Sequence, residues 1–265
     1  MFFKILIFYL LIIFNYSIIA DEKRLIIATT TSAYDTGLLD YLNKEFNKQY
    51  NIKTHVLALG TGQAITVAKQ GNADILLVHH TPSEIEFVKK GYGITRYNLM
   101  YNDFFIVGPF NSNLKCNSIE DTLLQIKKNK LLFLSRGDES GTHKKEISLW
   151  NLINLVPKNF SQWYKKVGQG MGMTLIMANE MKAYTLTDRG TWLKFNKKEN
   201  LKIICKNKSP LINQYGIIAL NPDKYKNINY EWAKIYIEWI TSAKGKKLIN
   251  NFKESGEQLF FYNYE

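Results

Sequence analysis

The chain has 265 residues, with 35 Lys and Arg against 23 Asp and Glu and a formal charge of +12 at pH 7. That length fits one large domain or two smaller ones sharing a long core. The cations are scattered in pairs such as Lys89-Lys90, Lys127-Lys128, Lys197-Lys198 and Lys246-Lys247. They read as solvated helix faces and turns, which argues against a nucleic-acid surface and leaves a modest pull on small anions.

Met1 to Ala20 has one early cation, Lys4, then a long apolar stretch, then small Ala20 before charged Asp21-Glu22-Lys23. This is the order of an export signal, so 1–20 is expected to be cleaved. An uncleaved anchor is the alternative. The apolar run from Ile5 is, however, interrupted by Asn15 and Ser17 and falls short of the ~20 residues a span needs. No other segment is apolar enough to cross a bilayer. Cys116 and Cys205 are the two cysteines. In an exported chain they are open to a disulfide, with two separate buried thiols as the equal alternative.

From Arg24 the chain alternates strand-like and helix-like segments. LIIATT reads as a strand, and Leu38, Leu39, Leu42 and Phe46 then recur at helical spacing. THVLALG is a second strand with a helix after TGQ. ADILLVHH is a continuous apolar run, the mark of a strand buried on both faces. PSEIEFVKKG is a short helix closed by Gly91. This βαβαβ order implies parallel strands with right-handed crossovers. YNDFFIVGP is a strand that carries the backbone out of a first lobe, and NQYGIIALNP is the return crossing. Between them lie LLFLS, a helix after SGTHKKE, the turn GQGMGMT, the helical TLIMANEMKAYTL and the strand KIICK. The amphipathic helix Tyr230–Thr241 and a shorter helical tail end the chain. The expected division is a first lobe of 21–103 and 216–265 and a second of 104–215. The fold class is α/β, each lobe a mixed, mostly parallel sheet flanked by helices, with two connecting strands.

Three junctions share one design: an apolar strand, then Thr, Ser and Gly, then the first turn of a helix. They are RLIIATTTSAYDTGLL from Arg24, HVLALGTGQAITVA from His55 and LLFLSRGDESGTHKKE from Leu131. A helix start carries unpaired N–H groups and the positive end of the helix dipole, so each junction can hold an anion. The first offers the hydroxyls of Thr29, Thr30, Thr31 and Ser32. The second offers Thr61, Gly62 and Gln63, with Gly62 letting the backbone come close. The third adds the planar, permanently charged fork of Arg136 to the helix start Ser140, Gly141 and Thr142. Plain helix capping explains any one of them alone. Three at the carboxyl ends of strands, where open α/β sheets hold ligands, point to one oxyanion between two lobes. Asp138 and Glu139 are expected to point away or to orient Arg136.

Enzymatic readings have less to stand on. Gly137-x-x-Ser140-Gly141 lacks the spacing of a nucleophile elbow. Ser140 and His143 are neighbours on a helix turn without any catalytic reason, and a secreted serine hydrolase built on them is the minor alternative. No HExxH or Cys/His spacing suggests zinc. The Gly168–Thr174 turn lacks the GK[ST] of a nucleotide loop and is expected to line the cleft through Gly172 and Thr174.

With these motifs the chain resembles the tungstate-binding proteins of tungstate ABC transporters. The matching stretches are ATTTS (28–32), TGLL (36–39), GTGQA (60–64), ADILLVH (73–79) and MYNDFFIVGP (100–109). SRGDESGTHKKE (135–146), GQGMGMTLIMANE (168–180), AYTLTDRGTWL (183–193) and YGIIALNP (215–222) continue the series. Gln63 departs from the family pattern, in which a basic residue can occur. The resemblance implies an exported, two-lobed receptor of the type II periplasmic-binding fold. It implies tungstate, or molybdate, held by the first-motif hydroxyls, the second-loop N–H groups and Arg136 with Thr142. It also implies no cofactor, a monomer in the periplasm, and an inner-membrane permease and ATPase as partners. Sulfate and phosphate receptors of the same fold are the neighbouring alternatives. Phosphate would call for an acceptor in the site, such as an inward Asp138 or Glu139.

Overall fold

The computed structural model describes residues 24–157, 160–206 and 209–264. The export-signal expectation on 1–20 therefore lies outside the described residues. Among them, no helix is long and apolar enough to cross a membrane.

The chain opens with β1 (Arg24–Thr30), a four-residue α1 (Thr31–Tyr34) and α2 (Leu38–Tyr50). The apolar residues of α2 fall on one face, and Leu38, Leu39, Leu42 and Phe46 are all buried. Next come β2 (Lys53–Leu59), α3 (Thr61–Lys69), β3 (Ile75–Val78) and α4 (Thr81–Lys89). All four residues of β3 are buried, as its unbroken apolar run requires, whereas the edge strand β2 alternates.

The 17-residue β4 (Gly93–Pro109) leads to α5 (Ile119–Lys128), β5 (Phe133–Ser135), α6 (Gly141–Leu152) and β6 (Tyr164–Lys166). Then follow α7 (Met171–Met181), β7 (Tyr184–Asp188), α8 (Arg189–Lys194) and β8 (Leu201–Cys205). The return is β9 (Ile212–Leu220), then α9 (Tyr230–Ile240) and α10 (Ala243–Asn251). The tail after α10 is not only helical. A small hairpin, β10 (Lys253–Glu254) with β11 (Glu257–Gln258), precedes β12 (Phe261–Tyr262), which pairs with β4. Ser255 and Gly256, both at positive φ, turn that hairpin.

The sheet runs β2-β1-β3-β9-β4-β7-β5-β6, with β8 and β12 also on β4. β1 pairs in parallel with β2 and β3, and β5 with β6 and β7. Within this sheet the antiparallel pairs all involve β4 or β9. β4 pairs with β9 from Gly93 to Asp103, then with β7 from Phe104 onward. One strand thus belongs to two half-sheets. β9 is paired with the first-half part of β4 from Ile212, opposite Asp103.

This register sets up the site. β3 is antiparallel to β9 and β9 to β4, so β3 runs along β4 toward the second half. β7 is antiparallel to β4 and ends at Asp188 opposite Phe104, so it runs toward the first half. The carboxyl ends of the two parallel sets therefore face each other across the switch at Asp103 and Phe104.

One large apolar cluster joins α2, α9 and the strands of the first half to α7 and α8. A second, built on Phe133, Trp150 and Tyr164, fills the far half, and a third lies under α3 and α4. The cysteine alternatives resolve to a bond: Cys116 and Cys205 form a disulfide, with Cα atoms 5.3 Å apart.

Candidate functional site

The first junction divides its hydroxyls between structure and cleft. Thr29 Oγ1 donates to the Leu77 carbonyl at 2.7 Å and is fully buried, so it tethers β1 to β3. Thr30 caps α1, its Oγ1 accepting the Ala33 N–H. Thr31 and Ser32, one residue further, line the cleft. Ser32 Oγ sits 3.2 Å from Thr30 Oγ1 and 3.3 Å from His79 Nε2. Burial pushes the His79 imidazole down to about 4, with the nearby Asp188 charge opposing, so the ring is neutral at pH 7.

The second junction is an uncapped helix start. Gly60 stands at the N-cap of α3 without a side chain to cap it, and the first intrahelical bond is Ala64 N–H to Gly60 O. The N–H groups of Thr61, Gly62 and Gln63 have no acceptor one turn back within the helix.

The third junction holds the charge. Ser135 ends β5, and α6 begins at Gly141, capped by Ser140 Oγ accepting the His143 N–H at 3.2 Å. Arg136 Nη2 donates to Asp138 Oδ2 at 2.5 Å, and the other Asp138 oxygen accepts the Ser140 N–H at 3.2 Å. Burial works against the Asp138 carboxylate. The Ser140 hydrogen bonds and the Arg136 charge together outweigh it, and the carboxyl is held below its usual range. Arg136 Nε is buried and has no hydrogen-bond partner.

Two cavities meet here. The larger, about 830 Å³, runs from Thr31 past Gly60–Gln63 to Arg136, Asp138, Glu139, Ser140 and Lys144. The smaller, about 410 Å³, runs from Thr31, Ser32, Asp35 and Thr36 past Arg136 to the starts of α7 and α8. Thr31 and Arg136 line both. The α7 start, Gly170 to Gly172, is again uncapped by a side chain. Asp188 caps α8 with both oxygens, taking the N–H and the hydroxyl of Thr191. Lys194 closes one side, its Nζ donating to the Asp35 carbonyl at 2.6 Å.

Of the residues singled out in the sequence, Thr31, Ser32, Thr61, Gly62, Gln63, Arg136, Ser140 and Gly172 line these two cavities. Thr29, Thr30, Gly141, Thr142 and Thr174 do not. Gly141 packs against His79, leaving a Cβ there only 2.6 Å from Cε1. Thr142 is buried, and Thr174 turns its hydroxyl to Gly170 O. Sequence reasoning passed over Asp35, Thr36, Lys144, Asp188, Thr191 and Lys194. Only DRGT carried a usable signal, an Asp three residues before a Thr after a strand, which is a helix-cap pattern.

The arrangement suits binding more than bond-breaking. The Ser140 hydroxyl oxygen caps α6, and His143 Nδ1 is taken by the Glu139 N–H at 3.0 Å. Among the described residues no group of three or more His, Cys, Asp or Glu side chains could hold a metal ion.

A sequence profile described as "PBP superfamily domain" matches residues 19–244. The tungstate-binding protein TupA of Peptoclostridium acidaminophilum is 48% identical over 249 residues, covering 91% of this chain and 86% of the relative. The TupA of Campylobacter jejuni is 42% identical over 235 residues, covering 86% and 87%. The solved structure of the tungstate-binding protein TupA from Desulfovibrio alaskensis superposes with a TM-score of 0.86 at 40% identity, covering 91% of this chain and 99% of that one.

Proposed function

The chain belongs to the PBP superfamily, in the group of tungstate-binding proteins named TupA, and from that premise we propose that it captures tungstate in the cleft and delivers it to an ABC importer. In this reading it performs no chemistry on the anion. It works outside the cytoplasmic membrane as a monomer, exported by its first 20 residues, and hands its load to a permease and ATPase. Molybdate, nearly the same size and charge, is the competing ligand.

One observation carries the reading. Arg136 lies between two cavities that both reach Thr31, with its Nε buried and unshared. A tetrahedral dianion leaving water needs replacement donors around it. Here they are one guanidinium, the hydroxyls of Thr31 and Ser32, and uncapped N–H groups at α3 and α7. Neutral donors solvate the charge without fixing a full counter-charge for each oxygen.

Asp138 also bears on ligand choice. Hydrogen phosphate would need an acceptor for its proton. Asp138 takes Arg136 on one oxygen and the Ser140 N–H on the other, which orients the guanidinium, but Asp138 and Glu139 both line the larger cavity, so phosphate belongs in the comparison. The two half-sheets, as lobes pivoting on β4 and the chain before β9, would close over it. Titration calorimetry with tungstate, molybdate, sulfate and phosphate tests the proposal. One tight site for tungstate, with sulfate and phosphate far weaker, is expected. Tight phosphate binding with none for tungstate would refute it.

A further inference from the structure

The loop that presents Arg136 passes twice through the left-handed region of backbone space. Gly137 has φ of +63°, and a Cβ there would lie 2.8 Å from Lys166 Cβ. Two residues on, Glu139 has φ of +57° although it carries a side chain. Residues with a Cβ rarely adopt that conformation unless something holds them in it.

What holds Glu139 is a side chain one helical turn ahead. Its N–H donates to Nδ1 of His143 at 3.0 Å. His143 is on the first turn of α6, and its side chain is only 6% exposed. Because Nδ1 accepts, the ring is neutral and its proton sits on Nε2. We propose that His143 is the positioning residue of the anion loop: its Nδ1 pins the Glu139 N–H, keeps Gly137–Ser140 in its bent form, and so keeps Arg136 aimed into the cleft. This rests on the reading of Arg136 as the anion's charged contact.

The surroundings keep that acceptor available. Burial lowers the basicity of the ring, Lys166 and Arg136 act in the same direction, and Glu139 and Asp138 oppose them. The net effect is below the ordinary histidine value. A proton on Nδ1 would face the Glu139 N–H donor to donor. It would turn instead to the Glu139 carboxylate, whose Oε1 lies 3.5 Å away. Protonation thus exchanges a backbone anchor for a side-chain contact and frees the bend. A side chain at the third helical position that reaches back to an N–H ahead of the helix also resembles a capping box, so the effect on anion affinity is what distinguishes positioning from capping.

The first test needs no ligand. Ring nitrogen NMR of the protein at pH 7.5 is expected to show the Nε2–H tautomer of His143; an Nδ1–H tautomer overturns the proposal. The second compares His143→Asn, whose Oδ1 falls near the place of Nδ1 and can accept, with His143→Leu, which cannot. Tungstate affinity is expected to fall roughly tenfold or more in His143→Leu and to stay within about threefold of the parent in His143→Asn. Between pH 8 and 5 the parent is expected to lose affinity relative to His143→Asn. Equal affinity in His143→Leu and the parent overturns the proposal, as does equal loss in both variants. If the parent itself bound no tungstate, the functional reading would fail, and the tautomer would still decide the role of His143 in the loop.

Discussion

The guanidinium of Arg136 is held at one end by Asp138 and left unshared at Nε, which fixes its direction before any ligand arrives. Hydrogen bonds to a charged group contribute about 1.5–3 kcal/mol each. Arg136→Ala is therefore expected to weaken tungstate binding by roughly 100-fold or more with a near-parental melting temperature. Arg136→Lys keeps the charge but loses the planar fork and is expected to fall between. An unchanged dissociation constant in Arg136→Ala would remove the proposed site. Gly141→Ala acts differently, because its methyl would press on the His79 ring at 2.6 Å. It is expected to cost about 1–3 kcal/mol of stability, read as a lower melting temperature. Arg136 was legible in the sequence because an Arg between a strand end and a Ser-Gly-Thr turn is an unusual neighbour set. The Thr run was only half legible. Ala28–Ser32 gives no sign that the strand stops at Thr30, and that stop decides that Thr29 bonds Leu77 while Thr31 faces the cleft.

At the scale of elements, α6 is anchored from behind by Glu146. Its carboxyl accepts from Trp150 Nε1 at 3.1 Å and Tyr164 Oη at 2.7 Å, and burial pushes it up to about 7. A carboxyl raised in the folded state keeps its proton there after the unfolded chain has lost it. Stability from this group is full below pH 4.5 and is lost as pH rises toward 7. Glu84, buried against Arg96, is also pushed up to about 7 and adds to the same window. Glu146→Gln is expected to flatten, not abolish, the decline in unfolding free energy between pH 4.5 and 7. A slope equal to the parent's would show that Glu146 is ionised in the folded protein. The longer elements were readable from their patterns: ILLV from its unbroken apolar run, α2 from its spacing. The six-residue α8 and the two-residue strands of the terminal hairpin are too short to leave a period, and pairing with distant residues creates them.

For the whole molecule, the long strand β4 joins the halves, and the opposed strand ends make the cleft. The two similar segments YNDFFIVGP and NQYGIIALNP are both strands, β4 and β9. That these strands pair antiparallel with each other, and that β12 adds to β4, depends on contacts between residues more than 100 apart, which no local pattern encodes. The disulfide was equally undecided, since spacing cannot supply a distance. It links positions 89 residues apart, which in the chain-entropy view is worth roughly 4–5 kcal/mol. Reduction is expected to lower the melting temperature by several degrees, and an unchanged melting curve in reductant would refute a stabilising role.

The central claim is that one tungstate sits between the halves against Arg136. Crystals of the protein grown with tungstate, measured at the tungsten absorption edge, test it most directly. A single anomalous peak is expected within hydrogen-bonding reach of the Arg136 guanidinium and the Thr31 hydroxyl. A peak at the protein surface, or one in the cleft out of reach of Arg136, would contradict the account.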